Sequence, residues 1–397
     1  MAEHDKYVII GGGSAAAAAV EGIRDRDPSG TIALFSKEMR LPYDRPPLSK
    51  GLWLGKTTLA ELTIHDDEYY RLRGVRVRLG CEIQEIALAR KMVTDKEGSR
   101  YTYERLLIAT GGTPRRLSFG EGAVRYFRTL DDYHELKEFS DRGSEFVLIG
   151  GGFIGAELAA ALALLGQKVT MVFPENAILQ KVLPPALAGF VTDYYRSRGV
   201  TILDGDLPTN VFRSEGSTIV QTKSGKKLTT NVALAAIGLN LHTEMAKKAG
   251  LKLDNGIAVN SFLQTSDPSV YAAGDVACFP ARALEKSIRV EHWDNARAQG
   301  KHAGANMAGA NKPYDYLPYF YSDLFDLGFE AVGEIDSRMQ TYADWREEFK
   351  EGVIYYLDDS RVKGVLLWNV WEKVDAARNL IARKKTYGDQ EELLGKI

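Results

Sequence analysis

The hydrophobic and polar positions fall into two copies of one design. Tyr7-Val8-Ile9-Ile10 is a continuous apolar run that closes on Gly11-Gly12-Gly13 and continues through Ser14-Ala15-Ala16 into an alanine-rich stretch. Phe146-Val147-Leu148-Ile149 closes on Gly150-Gly151-Gly152 and continues through Phe153-Ile154-Gly155 into Ala156–Ala160. Each pattern predicts a buried strand, a glycine turn and a helix with small residues on its packed face. Each is followed by a further strand-like run, Thr31–Phe35 and Lys168–Phe173. Two βαβ units of this kind imply parallel sheets and an α/β fold.

Between the copies, Tyr103–Ile108 reads as a strand that ends in the turn Ala109-Thr110-Gly111-Gly112, and Pro114 makes a crossover plausible near residue 115. Val232–Gly238 is a similar apolar strand and a candidate return crossover, and Tyr271–Val276 is another apolar run, closed by Gly274-Asp275. Beyond about residue 310 the texture changes to aromatic-rich alternating segments. Val353–Leu357 and Val362–Trp368 flank Asp358-Asp359-Ser360, a hairpin signal, and a short helix carrying Val374, Ala377 and Ile381 follows. This end of the chain predicts a small α+β domain.

Gly11-x-Gly13-x-x-Ala16 and Gly150-x-Gly152-x-x-Gly155 both fit the dinucleotide pattern. Its first glycine makes a tight turn, its second lets backbone approach a pyrophosphate, and its small third residue lets helix pack on strand. One such motif is weak; two, each inside a βαβ pattern, reinforce each other. An acid roughly 20 residues further on should hold a ribose diol. Glu175 lies 20 positions after Gly155 and favours NADH, because a 2′-phosphate would meet its charge, although Lys181 is close. After the first motif Glu38 is the natural ribose ligand, with Lys37 in the more usual slot.

Composition adds boundaries. The 397 residues are 45% hydrophobic and 26% charged, an ordinary globular balance spread over several domains. Lys plus Arg total 51 against 53 acids, a net charge of −2, so no global field draws the chain to nucleic acid. Cys81 and Cys278 are the two cysteines and form no C-x-x-C pair, which disfavours both a disulfide framework and disulfide reductase chemistry. The acidic, polar start of the chain does not read as a leader, and the expectation is a cytoplasmic protein without a membrane span.

These residues resemble the flavoprotein pyridine-nucleotide reductases, and within them the apoptosis-inducing-factor family and the oxygenase-coupled ferredoxin reductases. Leu41–Lys50, Ile108–Arg115, Ile149–Leu158, Phe173-Pro174-Glu175, Ala273–Phe279, Tyr321–Leu324, Gly333–Asp336 and Gly364–Asn369 carry the match, which covers nearly the whole chain. The segment Tyr319-Phe320-Tyr321-Ser322 also resembles plant monodehydroascorbate reductases. The long insertion and N-terminal extension of animal apoptosis-inducing factors are absent. The resemblance implies two Rossmann-like domains: an FAD domain of residues 1–115 and 240–308, and an inserted NADH domain of residues 116–239. A C-terminal α+β domain, 309–397, would complete the chain. It also implies FAD contacts from Gly11, Gly13, Ser14, Ala15, Glu38, Arg45, Lys50, Thr110, Gly111, Arg128, Asp275, His292, Trp293 and Tyr321. Gly150, Gly152, Phe153, Gly155, Glu175, Lys181 and Gly238 fall on the NADH side. Arg297 matches an arginine that monodehydroascorbate reductases use for substrate.

The expected reaction is hydride transfer from NADH C4 to flavin N5, with no side-chain proton shuttle. Lys50 and Glu157 are expected to pair near N5, the lysine stabilising charge on reduced flavin and the glutamate orienting it. Three acceptors stay open: a small molecule or quinone; a ferredoxin or rubredoxin docking on a basic face, for which Arg71, Arg73, Arg76 and Arg78 are candidates; and no fast acceptor at all, in a redox-gated interaction protein that changes its homodimerisation with NADH.

Overall fold

The computed structural model describes residues 2–397 and divides into two compact units. The first runs through Asp44, then Leu59–Thr113 and Asn240–Pro318. Its sheet is built on the strand Glu3–Ile10, flanked in parallel by Ile32–Phe35 and Arg100–Ile108, with Val75–Arg78 parallel at one edge. The Arg100–Ile108 strand forks at the other edge. Its start pairs antiparallel with Met92–Asp95, and its end pairs parallel with Val270–Ala272. The four residues of Ile32–Phe35 and the four of Tyr7–Ile10 are all buried, as strands covered on both faces must be.

The helix Ser14–Arg24 follows the first glycine turn and packs along the helix Trp293–Met307. Their backbones touch. A Cβ on Gly300 would stand 2.1 Å from the Ala15 carbonyl oxygen, one on Gly304 2.2 Å from that of Ala19, and one on Gly22 1.9 Å from that of Lys301. Small residues on both helices are therefore a packing requirement, which accounts for the alanine run.

The second unit comprises Arg45–Thr58, Pro114–Leu239 and Tyr319–Ile397. It holds a five-stranded parallel sheet in the order Thr201–Leu203, Val169–Val172, Phe146–Ile149, Val232–Ala235, Val124–Tyr126. The helix Phe153–Leu164 follows the second glycine turn and is almost wholly apolar, with Glu157 the exception on its buried face. An antiparallel ribbon, Pro208–Ser214, Ser217–Thr222 and Lys227–Thr230, precedes the last parallel strand. The C-terminal sheet is antiparallel, in the order Tyr319–Leu324, Leu327–Gly333, Arg361–Trp368, Glu351–Asp358, Gln340–Glu347. The expected hairpin at Asp358–Ser360 joins two of its strands, and the helix Val374–Ala382 packs on it. Among the described residues, no helix is long and apolar enough to cross a membrane.

Candidate active site

Each glycine turn ends a central strand and opens a helix whose first turn has no side-chain cap and no acidic residue. The helix Leu130–Asp141, by contrast, is closed by a full capping box from Thr129 and Asp132. Uncapped N–H groups at a helix start attract anions. The glycines divide by what a side chain would meet. At Gly11 a Cβ would strike the Ala109 carbonyl oxygen at 2.1 Å, and at Gly155 that of Gly150 at 2.2 Å, so the protein's own packing demands glycine there. At Gly13 and Gly152 nothing lies within 4 Å. Protein packing leaves those two positions open, and a backbone cradle for a pyrophosphate is what their bareness supplies. Both turns fit a dinucleotide.

In the first unit, Tyr43 Oη donates to Glu38 Oε2 at 2.7 Å, which fixes the expected ribose acid. Lys37 turns to Glu82 at 2.7 Å and so does not compete for that role. Ser14 Oγ and Trp293 Nε1 both donate to Asp44 Oδ1, joining the start of the Ser14–Arg24 helix to the start of the Trp293–Met307 helix. Ala15 is buried and packs its Cβ toward Gly274. His292 occupies the cap position before Trp293. Asp275 is buried in the short turn after Val270–Ala272, and its carbonyl oxygen accepts from Arg289. The Thr110-Gly111 turn is pinned by His242: Thr110 Oγ1 donates to the His242 carbonyl at 2.9 Å, and the His242 amide donates to the Gly111 carbonyl at 3.0 Å.

In the second unit, Lys50 Nζ lies 2.9 Å from Glu157 Oε1 and 4.8 Å from the centre of the Tyr321 ring. Lys50 and Glu157 side chains are only 12% and 4% exposed, so this ion pair is screened little by water. Ser49 Oγ donates to Glu157 Oε2 at 2.6 Å, and Ser322 Oγ to Oε1 at 2.7 Å. Arg45 donates to the Arg128 carbonyl at 2.9 Å, bringing the two expected phosphate ligands together. Phe153 packs edge-on against Phe320 at 5.3 Å and near Phe329 at 6.4 Å, so its ring belongs to an aromatic cluster. Glu175 lies just past the strand Val169–Val172, after Phe173, whose ring packs where a Gly151 side chain would stand. The Glu175 carboxylate meets Lys181 Nζ at 2.8 Å, with the Lys181 side chain 82% exposed. Gly238 accepts from the Arg115 amide at 2.9 Å, closing the end of Val232–Ala235.

The model of the pyridine nucleotide-disulphide oxidoreductases matches residues 5–300, and that of the C-terminal domain of mitochondrion-associated apoptosis-inducing factor matches 303–347 and 342–383. The chain belongs to the pyridine nucleotide-disulphide oxidoreductase family. It is an FAD-dependent NADH oxidoreductase. It is 34% identical to mitochondrial apoptosis-inducing factor 1 of Dictyostelium discoideum, over 98% of this chain and 81% of that protein. It is 35% identical to peroxisomal monodehydroascorbate reductase 2 of Oryza sativa subsp. japonica, over 95% and 85%. Among solved structures, a chain of the covalent putidaredoxin reductase–putidaredoxin complex superposes with a TM-score of 0.90 at 29% identity, covering 98% of this chain and 96% of that one.

One expectation about this oxidoreductase needs correction. The arginines at 71–78 do not form an open basic face. Arg76 pairs with Asp5 and Glu3, Arg78 pairs with Glu3, Arg71 pairs with Glu68, and Arg73 stacks over Tyr69 at 3.6 Å. Arg297 bonds Glu21 at 3.4 Å and lies over the Trp293 ring at 5.5 Å, on the wall of a cleft of about 720 Å³. The cysteines behave as packed residues. Burial, reinforced by Asp95, pushes the Cys81 thiol up to about 11, and burial together with Asp254 raises that of Cys278, so neither is an activated thiolate at neutral pH.

Sequence reasoning missed Tyr43, Asp44, Ser49, Ser322 and His242. Tyr43, Asp44 and Ser49 lie inside the quoted Leu41–Lys50 run, where a signal existed but no geometry told which residues aim at which partner. Ser322 sits in the quoted Tyr321–Leu324 run. His242 has no motif around it.

Proposed function

We propose that NADH, held at the Gly150–Gly155 turn with its ribose on Glu175, delivers hydride to FAD held at the Gly11–Ala16 turn, and that the electrons leave to a small redox protein. FAD supplies the step from two-electron to one-electron chemistry when bound. The chain's residues do the rest. Gly13, Ser14 and Ala15 present the helix start to phosphates, Glu38 takes the adenosine ribose, and Arg45 with Arg128 balances phosphate charge. Thr110, Gly111, Asp275, His292, Trp293 and Tyr321 shape the cofactor's surroundings. Lys50 holds a positive charge where reduction builds a negative one, and Glu157 keeps that ammonium aimed.

The observation that carries this reading is the nearly buried Lys50–Glu157 pair, held by two serine hydroxyls. A buried ion pair adds little to stability by itself, and one whose carboxylate oxygens are each held by a hydroxyl is well suited to a fixed electrostatic task. A redox-protein acceptor is supported by the likeness to putidaredoxin reductase in complex with putidaredoxin, and by thiols unsuited to disulfide exchange.

The test is anaerobic stopped-flow reduction with NADH and with NADPH, followed by mixing with a [2Fe–2S] ferredoxin, a quinone, ferricyanide or oxygen. The expected result is faster reduction by NADH and fastest reoxidation by the iron–sulphur protein. Reoxidation that quinone or oxygen drives and ferredoxins leave unchanged would sink the proposed exit. The likeness to apoptosis-inducing factor favours a second reading, an assembly gated by NADH. An elution volume on size exclusion that NADH does not shift would dismiss it.

A further inference from the structure

We propose that Ser322 is a positioning residue for Lys50, acting through Glu157, so that the C-terminal sheet sets where the lysine's charge stands. This rests on the reading that Lys50 serves flavin reduction. Glu157 lies on the buried face of the Phe153–Leu164 helix and is 4% exposed. Its two oxygens have different partners. Oε2 accepts from Ser49 at 2.6 Å, while Oε1 accepts from Ser322 at 2.7 Å and meets Lys50 Nζ at 2.9 Å.

The terminal torsion of a glutamate is soft, and a carboxylate held at one oxygen alone can still turn. A hydroxyl on each oxygen removes that freedom. Oε1 then faces one fixed direction, and the ammonium bonded to it has one fixed place. Ser49 and Lys50 are chain neighbours, so Ser49 ties the backbone that carries the lysine. Ser322 comes from far along the sequence and is itself fully buried.

The strand Tyr319–Leu324 addresses the pair twice. Successive residues of a strand point to opposite faces. Ser322 reaches the carboxylate from one face, and Phe320 on that same face packs against Phe153, one helical turn from Glu157. Tyr321, next in sequence, lays its ring 4.8 Å from the lysine nitrogen. One strand thus holds the carboxylate by a hydroxyl and the ammonium by an aromatic face. A lysine ammonium has three protons, and Glu157 occupies one, leaving the remainder to be aimed.

The experiment is anaerobic stopped-flow reduction of the FAD-loaded enzyme by NADH, comparing wild type, Ser322→Ala, Ser322→Thr, Lys50→Ala and the Ser322→Ala/Lys50→Ala double variant. FAD absorbance and the thermal midpoint verify that each is folded and loaded. Removing a hydroxyl from a charged acceptor should slow reduction at saturating NADH roughly ten-fold, with little change in the NADH concentration giving half the maximal rate. Ser322→Thr should restore most of the rate. In the Lys50→Ala background the serine substitution should slow nothing further, because its effect runs through the lysine. Ser49→Ala gives the same coupling test from the other oxygen if Ser322→Ala folds poorly. A full additional slowing in the double variant, or a wild-type rate in Ser322→Ala while Lys50→Ala is slow, overturns the positioning role. A wild-type rate in Lys50→Ala overturns the reading of Lys50 and this proposal with it.

Discussion

Lys50 and Glu157 meet at 2.9 Å, and each has nearly all of its side chain out of water. The two halves of such a pair are unequal under substitution. Glu157→Gln keeps the shape and one acceptor oxygen but loses the charge, and its amide NH2 cannot accept from the second serine, so flavin reduction should slow roughly ten-fold with a smaller loss of stability than truncation causes. Glu157→Ala removes the counter-charge and both acceptor oxygens together and should destabilise the protein by about 3 kcal/mol. Stopped-flow rates and thermal melts of both variants separate the two effects, and equal losses of stability would contradict the assignment.

Glu175 should select against the 2′-phosphate. With Glu175→Ala, NADH loses a ribose partner, NADPH loses a repulsion, and Lys181 is released from its ion pair. The preference for NADH, as the ratio of kcat/KM values, should fall at least ten-fold, about 1.4 kcal/mol. Unchanged preference would remove Glu175 from the specificity argument.

Tyr43 acts one step behind the first ribose. Tyr43→Phe deletes the hydroxyl that donates to Glu38 at 2.7 Å. A neutral-to-charged hydrogen bond of this kind is worth about 1.5 kcal/mol, so FAD should dissociate roughly ten-fold more readily. Fluorescence of released FAD during dilution measures this directly.

Asp206 predicts an acid sensitivity. Burial alone would raise its pKa, but hydrogen bonds from the Ser224 hydroxyl at 2.5 Å, the Ser224 amide and the Leu207 amide reverse this and hold the carboxyl down at about 2. A folded-state pKa below the unfolded one gives stability that is present above about pH 4 and is lost as pH falls toward 2. The shift corresponds to about 2 kcal/mol. Asp206→Asn should lose that amount at pH 7 and should flatten the fall in stability between about pH 4 and 2, as read by denaturant unfolding.

The thiols should be dispensable. A Cys81→Ser/Cys278→Ala variant should reduce its flavin at the wild-type rate, and iodoacetamide at neutral pH should leave activity unchanged. Loss of activity in either case would restore a role for a thiol.

The parts of this protein readable from sequence are those whose physics is local. Gly11, Gly13, Gly150 and Gly152 announce themselves because turn, strand and helix start are consecutive in the chain. The place of Glu175 just past the strand Val169–Val172 was readable for the same reason, being a fixed distance past its motif. Residues that act by meeting distant partners were not. Ser322 touches a carboxylate 165 positions away, and Trp293 bonds an aspartate 249 positions away. Arg76 and Arg78 misled for the mirror-image reason: their neutralising acids, Asp5 and Glu3, lie 71 and 75 positions earlier in the chain, and nothing in the local pattern shows them.

The close crossing of Ser14–Arg24 on Trp293–Met307 also bears on how the chain is made. The face of the first helix that Gly300 and Gly304 cover stays bare until nearly three hundred residues have been synthesised. At roughly 5–20 residues per second, that is on the order of tens of seconds in which an alanine-lined surface waits on the ribosome. The first glycine turn thus opens a helix whose covering partner is translated only after almost three hundred further residues.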